Sequence, residues 1–185
     1  RDGGSRGRAG ASSESPQNME TGKNTGSATG PAVSVEDICD AATAGSGIAL
    51  INQDVVKLQP NEFRARRIVV HLDSAHAIFH STNSRLRART TVMDGFLAFV
   101  AFGPGAKGTI NGLPVRRGVL LAADSTSEAC LVVDHDDWES MTFLLPPQVV
   151  SEHLAARQRE TGFCFPRGVE FLQADPEKVD QLFDW

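Results

Sequence analysis

No run of apolar residues in this sequence approaches the ~18 that a membrane-spanning helix needs, so a membrane partner is not expected. The three cysteines, Cys39, Cys130 and Cys164, are odd in number and share no C-x-x-C spacing. Without a signal-peptide pattern ahead of them, they read as structural thiols of a reducing, cytoplasmic compartment. No Gly-x-Ser-x-Gly elbow and no phosphate-cradling glycine loop follows any apolar run; Gly103-Pro-Gly105 is a turn between strands. A dominant charge is lacking too. The formal net charge is −5, which gives no overall argument for nucleic-acid binding. The charge is unevenly spread, however. Lys57 to Arg89 is basic, and Asp134, Asp136, Asp137 and Glu139 form an acidic cluster further on, a split that reads as solvated faces or a docking surface.

Large apolar side chains are also scarce at the start. Apart from Pro16, Met19 and Pro31, residues 1–31 offer nothing bulkier than alanine on the apolar side, and such a segment cannot offset its ordering entropy. Residues 1–32 are therefore expected to be a disordered tail. Arg1 is not a start residue and Met19 reads as an initiator, while Trp185 reads as a cut in mid-helix.

What is present is β patterning. From Val92 to Pro146, strand-length apolar segments alternate with turn signals and no helical period interrupts. Val92–Phe102 reads as one long central strand, and Ala129–Val133 and Trp138–Leu145 as two more. Asn111-Gly112 is a strong hairpin signal, because both central residues of a type I′ turn need positive φ. Upstream, Phe63–Leu72 and Ala75–Thr82 read as strands joined at Asp73-Ser74, the first with neither face cleanly apolar. Arg85-Leu-Arg-Ala-Arg89 reads as a charged edge strand or an anion-binding face. Ser34-Val-Glu-Asp37 has the form of a capping box ahead of Val35, Ile38 and Ala42, which predicts a short helix. After Pro146-Pro147, Val149, Val150, His153 and Leu154 follow helical spacing. A last helix is predicted from Asp175-Pro176. The fold class expected is mostly β: a cupin-like antiparallel barrel or sandwich with a short helix before it and two helices after it.

The order of these elements resembles the N-terminal sensor domain of AraC-type transcription regulators, over most of residues 34–185. The resemblance rests on Val35-Glu-Asp-Ile-Cys-Asp40 as a leading helix, on Leu58-Gln-Pro-Asn-Glu-Phe63 beside that family's L-x-P-G-x-F, and on Asn83-Ser-Arg-Leu-Arg87. It continues through Asn111-Gly112, Val115 and Gly118-Val-Leu-Leu121 to the strand that ends in proline before a helix. Asn61 stands where the family favours glycine. The resemblance implies residues 33–174 as a cupin-like domain that senses a small-molecule effector. It also implies residues 175–185 as the start of a linker and dimerisation helix, giving a homodimer. DNA would be bound only through a C-terminal domain that is not in this chain. The alternative is a cupin-fold enzyme or a stand-alone small-molecule binding protein.

A ligand pocket is expected inside the barrel, lined by His76, His80, Phe96, Phe99 and Phe102, although Phe99 has the opposite parity to Phe96 and Phe102. Dimerisation is assigned to Val179, Leu182 and Phe183, which recur at helical spacing. No metal, cofactor or catalytic residue is expected. His76 and His80 lie about 13 Å apart along an extended chain, too far to share one metal. The segment after Gly118 lacks the histidine that a cupin metal site would place there. His135, in an acidic turn, could hold a cation but reads as solvated. Deleting residues 1–32 should leave the thermal unfolding midpoint unchanged in calorimetry; a fall of several degrees would show that the segment contributes to the fold.

Overall fold

The structure, a computed structural model, describes residues 32–134, 137–157 and 163–184. The chain divides into two units, 1–30 and 31–185, and every described residue lies in the second. The expected tail therefore falls outside the described residues except for its last position, as do His135, Gly162 and Trp185.

The described residues form a mostly β fold of two antiparallel sheets with two short helices, consistent with a β-sandwich. The larger sheet runs in the order β1 (Val33–Ile38), β3 (Ala65–Leu72), β4 (Ala75–Thr82), β11 (Trp138–Leu145), β6 (Leu97–Phe102), β9 (Val119–Ala123) and β12 (Val169–Gln173). The smaller runs β2 (Ile51–Lys57), β5 (Leu86–Val92), β10 (Ala129–Val133), β7 (Gly108–Ile110) and β8 (Leu113–Pro114). Strands β4, β10 and β11 have the bounds read from the sequence, and the β3–β4 hairpin turns at Asp73, whose φ is 38°. Asn111 and Gly112 both take positive φ, 50° and 80°, as the hairpin between β7 and β8 requires. Asn111 also accepts a hydrogen bond on Oδ1 from the Cys130 amide at 2.8 Å, which pins the hairpin to β10.

Three expectations need correction, and one strand is additional. The helix expected around Val35 is strand β1, paired residue for residue with β3 from Val33↔Val70 to Ile38↔Ala65. Val33 and Val35 are β-branched, and a six-residue ladder outweighs a local capping pattern. The long strand expected over Val92–Phe102 is broken at Asp94-Gly95, where Gly95 has φ 87°; β5 ends at Val92 and β6 begins at Leu97. The arginine-rich segment is no edge. As β5 it lies between β2 and β10, with Leu86 and Ala88 buried, while Arg85 and Arg89 reach Asp134 at 3.8 Å and Glu128 at 3.7 Å. The basic and acidic stretches thus meet partly within the domain. Finally, β12 was not read from the sequence; it adds a strand beside β9.

The buried apolar residues fall into two clusters. One gathers Trp138, Phe102, Phe63, Ile110 and Val133, with the Phe102 and Trp138 rings 5.5 Å apart. The other gathers Val69, Ile78, Val92, Ala98, Ala123 and Leu144. Helix α1 (Pro147–Ala156) starts with proline at its first positions. Helix α2 (Pro176–Asp180) is capped by Asp175, whose carboxylate accepts from the Glu177 amide at 3.0 Å. It is held against the segment before β9: Arg117 Nε donates to Asp180 Oδ2 at 2.8 Å, and the Ala174 amide donates to the Gly118 carbonyl at 2.8 Å. Trp138 is 2% exposed and anchors the first cluster, so Trp138→Ala should cost about 3–5 kcal/mol. Chemical denaturation would check this, and a loss under 1 kcal/mol would contradict the packing described.

Candidate functional site

Cross-strand register sets the inner face of the larger sheet. Glu36 on β1 faces Arg67 on β3, Arg67 faces His80 on β4, His80 faces Ser140 on β11, and Ser140 faces Phe102 on β6. The next inward row is Val69, Ile78, Thr142, Val100 and Leu121, and the one beyond it is His71, His76, Leu144, Ala98 and Ala123. Side chains two apart on a strand share a face, so a single row carries Glu36, Arg67 and His80 together.

Between the sheets lies a cavity of about 100 Å³. The larger sheet supplies Arg67, Ile78, His80, Val100 and Phe102 among others, and the smaller supplies Gln53, Thr90 and Leu131. Ile48 closes one side from the segment before β2. Of the seventeen lining residues only five, Gln53, Arg67, His80, Thr90 and Thr142, carry polar side chains.

Part of that polarity is already paired. Gln53 Nε2 donates to Thr90 Oγ1 at 3.3 Å. Arg67 is 2% exposed and donates to the carbonyls of Ala44 and Ser46, with Glu36 Oε2 3.4 Å away. Burial lowers the Arg67 pKa, and the Glu36 carboxylate works against that shift. His80 differs. Its ring is half-buried because part of it borders the cavity, but Nε2 is shut off from solvent and has no hydrogen-bond partner among the described residues. Burial, reinforced by the neighbouring Arg67 charge, pushes its pKa down to about 4. At neutral pH it is an uncharged imidazole with an unused nitrogen.

Of the five residues assigned to the pocket from sequence, the structure brings His80 and Phe102 to the cavity. Phe99 faces the opposite side of β6, in register with Phe143 and Ala122, which settles the parity conflict against it. Phe96 sits in the turn before β6 and packs on the second cluster, 6.3 Å from the His76 ring. His76 stands at the hairpin end, its Nδ1 2.9 Å from His71 Nδ1, with its pKa lowered by burial and by His71. Arg67, Gln53 and Thr90 were not picked out. The signal available was a charged side chain set between two apolar ones on the inward parity, as Arg67 is between Ala65 and Val69. Of the residues assigned to dimerisation, Val179 is 4% exposed and buried within the domain, while Leu182 and Phe183 are half-buried.

Neither a family model nor a curated protein matches this sequence. Among solved structures, the chain is similar to the AraC-like transcriptional activator CuxR, with a TM-score of 0.44 and 11% identity over 68% of this chain and 52% of that one. The chain thus spans about half the length of that protein. No residue role is carried over from it. No helix among the described residues is long and apolar enough to cross a membrane.

The buried histidine makes stability depend on pH. His80 titrates at about 4 when folded against 6.5 for an ordinary histidine, so the unfolded chain takes up its proton first as pH falls. Its contribution is intact above pH 6.5 and is lost between 6.5 and 4, by up to about 3 kcal/mol. Unfolding free energies measured across that window should fall for the wild type and fall less for His80→Leu; parallel curves would contradict the assignment.

Proposed function

We propose that this domain is the effector-sensing module of an AraC-type transcription regulator, that it binds a small molecule between its sheets, and that it performs no catalysis. The observation that carries this reading is the cavity. Protein interiors pack with few voids larger than a water molecule, so an apolar space of about 100 Å³ at the centre of a small sandwich is a feature that needs a use. The order of sequence motifs from Leu58-Gln-Pro to Gly118-Val-Leu-Leu121 supports the regulatory part of the reading.

Against a metal enzyme stands the distribution of ligating side chains. Among the described residues no three His, Cys, Asp or Glu side chains converge, and His76 and His80 are separated on their shared face by Ile78. In the proposed homodimer Leu182 and Phe183 supply the contact, because the Val179 side chain is already taken up by the domain. DNA is then bound by a separate domain.

The cavity reading is tested with a panel of small aromatic and aliphatic compounds of about four to seven heavy atoms, a size set by comparison with the ~150 Å³ cavity that admits benzene. Binders should raise the melting temperature of the wild type and have no effect on Val100→Phe, whose ring occupies the same space. Hits that stabilise both proteins equally, or a panel that stabilises neither, would contradict it.

A further inference from the structure

We infer that the cavity takes a small uncharged compound with an apolar body and a single hydroxyl group, a phenol or short-chain alcohol, held through His80 Nε2. This rests on the reading of the cavity as a ligand site and specifies its chemistry.

Three observations select the class. The first is the lining. Twelve of its seventeen residues are apolar, so most of the ligand surface must be apolar too. The second is what the polar residues have left to offer. Gln53 Nε2 donates to Thr90 Oγ1, Arg67 is bonded to the carbonyls of Ala44 and Ser46 with Glu36 beside it, and the Thr142 hydroxyl lies one row away from His80 on the β4–β11 pair. His80 Nε2 is the buried nitrogen without a partner among the described residues. A buried polar atom left unpaired is costly, so a ligand that meets it gains more than one that does not. A hydroxyl both donates and accepts and therefore pairs with Nε2 in either tautomer of the ring. An ether or ketone pairs in only one.

The third observation is charge. A cation would enter beside the buried Arg67 guanidinium, which faces His80 across the β3–β4 pair. A carboxylate would find no free countercharge, because His80 is neutral over the physiological range and Arg67 already has Glu36 and two carbonyls. Both would be desolvated without compensation. Size sets the upper limit. About 100 Å³ is of the order of the ~150 Å³ space that holds benzene, well below the ~300–1,000 Å³ of drug-sized sites.

The test is calorimetric titration of the wild-type chain with phenol, toluene and benzoate, which share a six-membered ring and differ in the group presented to His80. Phenol should bind about tenfold more tightly than toluene, the usual scale of one hydrogen bond to a buried group, and benzoate should not bind. In His80→Leu, verified as folded by its melting curve, the preference for phenol should shrink to about onefold while toluene binding is kept or improved. Equal affinity of the wild type for phenol and toluene would overturn the hydroxyl class and leave the cavity as a ligand site. Preference for benzoate would overturn it as well and place Arg67 at the ligand. Failure of all three to bind would overturn both readings. Because the comparison of three probes on the wild type decides the matter, an unfolded His80→Leu variant would not protect the inference.

Discussion

The guanidinium of Arg67 is the constraint around which the sandwich is arranged. A buried cation is tolerated only if it is neutralised and hydrogen-bonded, and its partners come from β1 and from the segment that follows it. Glu36 places β1 beside β3, and the carbonyls of Ala44 and Ser46 bring the segment after β1 back over the sheet. Gly47, with φ 91°, fits close by; a side chain there would stand 3.1 Å from the Arg67 guanidinium and 3.2 Å from the Glu36 carboxylate. Arg67 also sets the state of its other neighbour. Its charge, added to burial, keeps His80 neutral, and that neutrality gives the cavity a polar contact without a charge.

The cavity lies where the two apolar clusters fail to meet. Phe102 and Ile110 border it from one cluster, Ile78 and Val92 from the other, and Ala98, Ala123 and Ala129 line it with side chains too small to close it. A void of this size costs about 2 kcal/mol in lost packing. Larger residues at the alanine positions would recover much of that, so the space is a stability cost of the kind that function accounts for. The same logic explains why the polar residues inside are few. Each unpaired one adds a penalty, and His80 Nε2 carries the one that a ligand would relieve.

Much of the fold could be read from the sequence because local and tertiary signals agreed. Trp138–Leu145 is a strand-length segment closed by Pro146, Asn111-Gly112 demands its turn, and Asp175-Pro176 marks the start of a helix. The failures are places where they disagreed. Ser34-x-x-Asp37 offers a capping pattern, but Val33 and Val35 find a ladder on β3 and the ladder prevails. Asp94-Gly95 was a turn signal hidden inside a run of apolar residues. The basic run over 85–89 suggested an edge, whereas its arginines point outward from a central strand to acidic partners that lie far along the chain. In the site, parity separated Phe99 from Phe96 and Phe102, but only the folded sheet brings His80 and Phe102 into one row. Arg67 escaped notice because its value comes from carbonyls and a carboxylate that only the fold brings near.

The central claim is that a neutral His80 presents the buried nitrogen that a ligand meets. Nitrogen-15 NMR of the histidine side chains tests it most directly, on protein at pH 6 with and without phenol. The account predicts a His80 ring in the neutral form at that pH, and a phenol-induced shift at Nε2 far larger than any at His71, His76 or His153. A doubly protonated His80 at pH 6, or a ring whose nitrogens do not respond to phenol, would contradict it.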